Sequence, residues 1–235
     1  YTLCGKDRIH PSTDGHLVMA YLFLKAQGLA GKPVADIRID GAGKKVTRSD
    51  NCRVSDLSVS SDNLTFTYEA KSLPYPIDTS YYDNEKHTQA DALSVIPFMD
   101  EMNYEGLSVS GLSDGYYGLT IGREFIGRFT ARELERGINM ALLQNTPQYK
   151  QAMKIRQMNE ERWLKERKMR EFYWVEYNLM RKTGMLWACN EAAVDTLRKY
   201  RPHDIFLQWN GDLWLQYMHK GIREDCVNEQ QDLVN

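Results

Sequence analysis

The alternation of apolar and polar positions divides the chain into three stretches. The first is a single short helix. Residues 17–24 (Leu17, Val18, Met19, Ala20, Tyr21, Leu22, Phe23, Leu24) carry no charge, so this helix is apolar nearly all round and reads as buried. Asp14 stands where an N-cap would, and Gly28 where a helix stops. The second stretch has a period of two. Residues 34–40 read as a strand, and 54–60 with 64–70 as a hairpin around Ser61-Asp62-Asn63. In 64–70, Leu64, Phe66 and Tyr68 alternate with Thr65, Thr67 and Glu69, which buries one face and wets the other. That is the pattern of an antiparallel sheet. Residues 107–110, 116–121 and 124–129 resume the strands, with turns at Ser113-Asp114-Gly115 and Gly122-Arg123. Together they predict a small antiparallel β-sandwich or curled sheet of about six or seven strands.

The third stretch is helical. Thr130 and Glu133 form a capping box, and the helix they open is expected to reach about Leu143. Asn139 is a candidate hydrogen-bonding residue tying that helix to the sheet. Thr146-Pro147 starts a second helix, with Pro at its first position. Nothing breaks it before Lys182, and Gly184 is a natural stop, giving a rod of roughly 54 Å at 1.5 Å per residue. Its middle, residues 156–170, is rich in charge and reads as a solvated face, with Ile155, Met158, Trp163, Leu164 and Met169 as its apolar positions. Two shorter helices follow at 190–200 and 212–220. Trp209 and Trp214 read as core. The pair His203-Asp204 between those helices reads as a turn and a cap rather than a catalytic pair.

Residues 71–103 are the irregular part. Pro74, Pro76 and Pro97 break them, and Tyr75, Tyr81, Tyr82, Asp83, Asn84 and His87 cluster there. The expectation is a loop that packs its aromatics on the sheet, with a binding lip as the functional alternative. His87 reads as a surface residue.

Candidate chemistry sits just ahead of the first helix, in Asp7-Arg8-Ile9-His10-Pro11. A histidine acting as a general base needs one tautomer and one orientation, fixed by a second group. A carboxylate on the same tight turn can accept the Nδ1–H and leave Nε2 for a substrate. Pro11 stiffens the turn and keeps His10 out of helical geometry. The bland alternative is a turn cap beside a surface histidine.

The longer run Asp7-x-x-His10-Pro11, Gly15-His16 and the helix through Gly28 resembles the last conserved block of the SGNH (GDSL-type) esterases, lipases and acylhydrolases. Residues 104–152 also look like the region that follows this block in some bacterial members. The resemblance implies that Asp7 and His10 are the catalytic Asp and His of a Ser-His-Asp triad. It implies that residues 1–30 are the C-terminal edge of an α/β hydrolase domain. An antiparallel β domain (31–129) and an α-helical region (130–235) with one long helix would follow, making the chain α+β. The nucleophile of that family lies in an N-terminal Gly-Asp-Ser block, with oxyanion residues in two further blocks. None of these precedes Asp7 in a chain that opens at Tyr1, and Ser110-Gly111-Leu112-Ser113 has the wrong order and context. The chain therefore reads as the C-terminal part of a longer hydrolase, expected to be inactive alone. Upstream residues or another chain are expected to cover residues 17–24. The resemblance implies O-acyl esters of carbohydrates, lipids or small alcohols as substrates, no cofactor or metal, and a secreted or periplasmic setting.

Composition narrows the choice only a little. The net charge of −2 gives no reason to expect nucleic acid or an anionic membrane as partner. Apolar content of 42% and charged content of 26% fit a globular protein, and no apolar run approaches the roughly 18 residues of a membrane span. Cys4, Cys52, Cys189 and Cys226 lie far apart, without a C-x-x-C pair. The alternative to an esterase is a non-catalytic accessory fragment that binds a glycan or another protein.

Overall fold

The computed structural model describes residues 2–5, 7–80 and 87–234. Tyr81, Tyr82, Asp83 and Asn84 of the irregular loop therefore lie outside the described residues. The chain forms two compact units, Tyr1–Met153 and Lys154–Asn235. The chain is mixed α+β: the first unit holds all the described strands, in small sheets with several helices, and the second is helical.

The first unit opens with α1 (Thr13–Ala26), then β1 (Ala35–Asp40), β2 (Lys45–Asp50), β3 (Cys52–Val59) and β4 (Leu64–Ala70). A 3₁₀ turn (Gln89–Ser94) and the short α2 (Phe98–Glu101) precede β5 (Glu105–Ser110), β6 (Tyr116–Ile121) and β7 (Glu124–Thr130). After α3 (Ala131–Arg136) and the two-residue β8 (Ile138–Asn139) comes α4 (Pro147–Val175), within which the division between units falls.

One mixed sheet has the order β2-β1-β5-β8, and β3/β4 and β6/β7 are separate hairpins. β1 and β5 run parallel, with Ile37 opposite Leu107 and Ile39 opposite Val109. The expected all-antiparallel sandwich gives way here, because a parallel pair needs a long crossover, which residues 41–104 supply. Ala35, Ile37, Ile39, Leu107, Val109 and Met140 form the buried core, and Phe66, Tyr68, Leu119 and Phe129 of the hairpins pack against it. β2 escapes sequence reading because only Val46 among its six residues is apolar; it is a solvated edge strand.

The capping box of α3 is present, Thr130 Oγ1 accepting from the Glu133 N–H at 3.2 Å. The helix ends at Arg136, well short of Leu143, because Gly137 turns the backbone to φ +93°. Asn139 then uses its whole amide. Oδ1 accepts from the Glu105 and Ala141 N–H groups (3.0 and 3.1 Å), and Nδ2 donates to Met99 O and Asn103 O (3.0 and 3.2 Å). It ties the start of β5 to the α2 segment.

Glu105, in that same strand, is fully buried. Tyr68 donates to Oε1 at 2.9 Å, while Oε2 has no hydrogen-bond partner among the described residues. Burial pushes its carboxyl above the ordinary value of 4.5, against the hydrogen bonds from Tyr68 and Gln148.

The second unit contains the rest of α4, a π-helical turn (Glu176–Met180), α5 (Glu191–Tyr200), α6 (Ile205–Tyr217) and α7 (Lys220–Asp232). Phe172, Val175, Met180, Ala193, Leu197 and Trp214 are its core. The charged middle of α4 is solvated and laced by i,i+4 pairs, Arg156–Glu160 and Arg167–Glu171. Continuous α-helix stops at Val175 rather than Lys182, and the π turn begins at Glu176, which is buried. Its Oε1 accepts from Trp214 Nε1 at 2.8 Å and its Oε2 from the Trp187 N–H at 2.9 Å. α6 starts earlier than expected because Asp204 caps it, accepting from the Phe206 and Leu207 N–H groups. Trp209, expected in the core, is 65% exposed. α7 carries too little apolar periodicity to be read from sequence.

Two measurements test these buried carboxylates. The folded state holds the Glu105 proton at pH values where the unfolded chain has lost it. Stability is therefore full below pH 4.5 and declines as pH rises through the raised folded value. Urea melts of Glu105→Gln should show that decline removed, and an unchanged pH slope would refute the assignment. Glu176→Ala leaves the buried Trp214 indole N–H and the part-buried Trp187 N–H without their acceptor and should cost the helical unit about 1–3 kcal/mol in chemical denaturation.

Candidate active site

The site is built on the strap ahead of α1. Residues 3–5 and 7–12 fold back on one another: the Ser12 N–H reaches Leu3 O at 3.0 Å, the Gly5 N–H reaches His10 O at 2.8 Å, and Cys4 pairs with Pro11 in an isolated antiparallel bridge. The reversal takes Arg8 into the left-handed region at φ +59°. Within it, Asp7 Oδ1 accepts from the Ile9 and His10 N–H groups at 3.0 and 3.1 Å. Asp7 Oδ2 meets His10 Nδ1 at 2.5 Å. One carboxylate thus shapes the turn and grips the ring that the turn presents.

The imidazole hydrogen bond, followed by the two backbone bonds, lowers the Asp7 carboxyl to about 2, although it is solvent-exposed. Asp7 is therefore ionised at any ordinary pH. The His10 side chain is 83% exposed. With Nδ1 engaged, Nε2 is the nitrogen left to accept a proton from another group.

α1 fixes where the strap sits. A Cβ on Gly15 would lie 2.0 Å from Leu3 O, so only glycine lets the first helical turn meet the strap. Asp14 is not the cap. Ser12 occupies that position, and Asp14 is buried in the first turn, accepting from the Gly15 N–H at 2.9 Å and from the Ser12 hydroxyl. A carboxylate there still complements the helix dipole. Gly28 follows the C-cap Gln27 at φ +73°, as a stop should.

The helix has two different sides. Leu17, Val18 and Tyr21 are 3–5% exposed, packed on Ala92, Ile96 and Phe98. Met19, Leu22 and Phe23 are 55–64% exposed. The irregular segment, not the hairpins or α4, thus covers half of it. Tyr21 donates to Glu101 Oε2 at 2.7 Å, and Lys25 Nζ reaches the same oxygen at 2.7 Å. This Tyr21–Lys25–Glu101 cluster escapes sequence reading because Glu101 is so distant in the chain; only the i,i+4 spacing of Tyr21 and Lys25 hints at it. His87 is half-buried beside the Thr88–Asp91 capping box. His203 is exposed, and its neighbour Asp204 is spent on capping. Among the described residues, no three His, Cys, Asp or Glu side chains gather to hold a metal ion, and no helix is long and apolar enough to cross a membrane.

An ionised acid locked to a histidine ring is the arrangement of a proton-transfer site. Comparison with known proteins gives two matches. Residues 153–235 match the family model described as the diltiazem deacetylase C-terminal helical domain. The whole chain superimposes on the solved structure of a gut microbial diltiazem-metabolizing enzyme, with 41% identity and a TM-score of 0.91. All of this chain is covered but 53% of that one, so the chain spans about half the length of its relative. No curated protein matches it.

Gly15→Ala should loosen the strap. The expected result is a loss of about 1–3 kcal/mol in thermal or urea unfolding, as for other overpacked sites. Faster amide exchange at Gly5 and Ser12 should accompany it. Unchanged exchange there would show that the strap does not depend on this contact.

Proposed function

We propose that this chain is the C-terminal part of an ester hydrolase of the SGNH (GDSL) type, acting on an O-acetyl or similar short acyl ester of a small alcohol or carbohydrate. The observation that carries the reading is the Asp7–His10 hydrogen bond on a tight turn directly ahead of a helix. The names of the two relatives, a deacetylase domain and a diltiazem-metabolizing enzyme, favour acetyl transfer to water. In this reading the serine nucleophile and the oxyanion donors lie outside this sequence. Hydrolase residues also cover the exposed side of α1, since a contiguous apolar surface next to a reactive histidine is disfavoured in water.

The roles follow from the geometry. His10 Nε2 takes the proton from the serine hydroxyl as its oxygen attacks the ester carbonyl. The imidazolium so formed is steadied by ionised Asp7 and returns the proton to the leaving alkoxide. Water then enters by the same route, with His10 as base again, and acetate leaves.

The test uses the longer protein that carries this chain, assayed on an O-acetyl ester. His10→Ala should lower kcat by about 10³-fold or more, and Asp7→Asn by about 10²–10⁴-fold with the fold intact. An unchanged rate for His10→Ala overturns the reading. Asp7, ionised above about pH 2, should contribute no limb to the pH profile of kcat/KM within the working range.

A further inference from the structure

A second pair of reactive side chains lies in the helical unit, built by elements that Asp7 and His10 do not use. Cys189 Sγ sits 2.9 Å from His219 Nδ1. Both residues are exposed, and Cys189 is the exposed one among four free cysteines: Cys52 and Cys226 are buried and Cys4 is intermediate. Cys189 lines a groove of about 580 Å³ together with Tyr173, Trp187, Met218, Lys220, Arg223 and Glu224, and His219 stands between the lining residues Met218 and Lys220 in the chain.

The backbone that delivers Cys189 is constrained in a way the packing of helices alone does not require. Trp187 stands in the left-handed region at φ +63°, unusual for so bulky a residue. It is held there by buried Glu176, which accepts its N–H at 2.9 Å. In that position the indole meets Tyr173 and Tyr177 edge-on, both with ring centroids 5.9 Å away. The result is an aromatic wall beside the thiol. His219 is the residue just ahead of α7. The charged groups lining the groove are Lys220, Arg223 and Glu224. Lys220 pairs with Glu224 at 3.2 Å, and Arg223, whose Nη1 donates to Tyr217 O and Met218 O, adds a further positive charge to the lining.

We propose that Cys189 and His219 form a reactive thiol site that exchanges with small aromatic disulfides bearing a negative charge. His219 takes the thiol proton, and the Cys189 thiolate attacks one sulfur of the disulfide. The S–S bond of the reagent breaks as the mixed disulfide forms. The departing sulfur leaves as a thiolate, and the proton on His219 goes to it or to solvent. No net oxidation occurs beyond that already held in the reagent. The aromatic wall stacks on the ring of the disulfide, and Arg223 favours its carboxylate.

Dithiobis-nitrobenzoate, an aromatic and anionic disulfide, is the probe, with the reduced full chain and release of thionitrobenzoate as the signal. One thiol per chain should react in a fast phase, about tenfold or more faster than free cysteine near pH 6.5. Cys189→Ser should remove that phase. His219→Gln should slow it about tenfold near pH 6.5 and much less near pH 9, where thiols ionise unaided. Hydroxyethyl disulfide, neutral and non-aromatic, should lose most of the advantage over free cysteine. A fast phase that survives Cys189→Ser overturns the site. A His219→Gln profile superimposable on the parent overturns the role of the imidazole, and an equal advantage with both disulfides overturns that of the groove.

Discussion

The position of the Asp7–His10 pair depends on one side-chain amide, that of Asn139. Its four hydrogen bonds join the first residue of β5 to Met99 and Asn103. Those residues bracket Glu101, and Glu101 in turn holds Tyr21 and Lys25 of α1. Phe98 of the same segment packs on the buried side of that helix. α1 then presents Gly15 to Leu3, and the strap beyond Leu3 carries Asp7 and His10. A site that is itself solvent-exposed thus inherits its rigidity from the sheet core through a short series of polar contacts. Each contact is individually modest, about 0.5–1.5 kcal/mol net for a neutral bond. The consequence of losing one is mainly geometric, a displacement of the strap and of the side chains it carries.

Much of the local chemistry was legible where it rests on near neighbours, although the cap of α1 is Ser12 rather than Asp14. The Thr130–Glu133 box, the Thr146-Pro147 start and the Gly28 stop all lie within four residues of what they control. The spacing that links Asp7 to His10 is equally local, and the hydrogen bond between them is there. What escaped reading depends on distant partners. β2 is a strand because β1 offers it an edge, not because its residues prefer one. The parallel pairing of β1 with β5 cannot be told from alternation, which fixes only which faces are buried. α3 shortens because Gly137 and Asn139 answer to β5 rather than to the helix. The two sides of α1 differ because residues 92–98 cover one of them, and nothing within α1 says which.

The helical unit organises itself around a buried carboxylate instead of an amide. Glu176 is surrounded by Phe172, Val175, Met180 and Trp214, yet it satisfies two donors from distant segments. Buried charges are weak sources of stability but strong sources of specificity when both partners are fixed. Here the carboxylate coincides with the π turn, fixes the rotamer of Trp214 and sets the backbone of Trp187. A core of aliphatic groups alone could fill the same space without holding a tryptophan in the left-handed region. The segment leading to Cys189 is shaped by this one group.

Glu105 gives the strand-rich unit a further property. A carboxyl that keeps its proton on burial makes folding a reaction that consumes hydrogen ions at pH values above its ordinary range. Each molecule that folds draws protons from its buffer, and each that unfolds releases them. The heat of unfolding should therefore vary with the ionisation enthalpy of the buffer chosen, even at constant pH and temperature. The sheet that supports the Asp7–His10 strap is in this sense a proton acceptor.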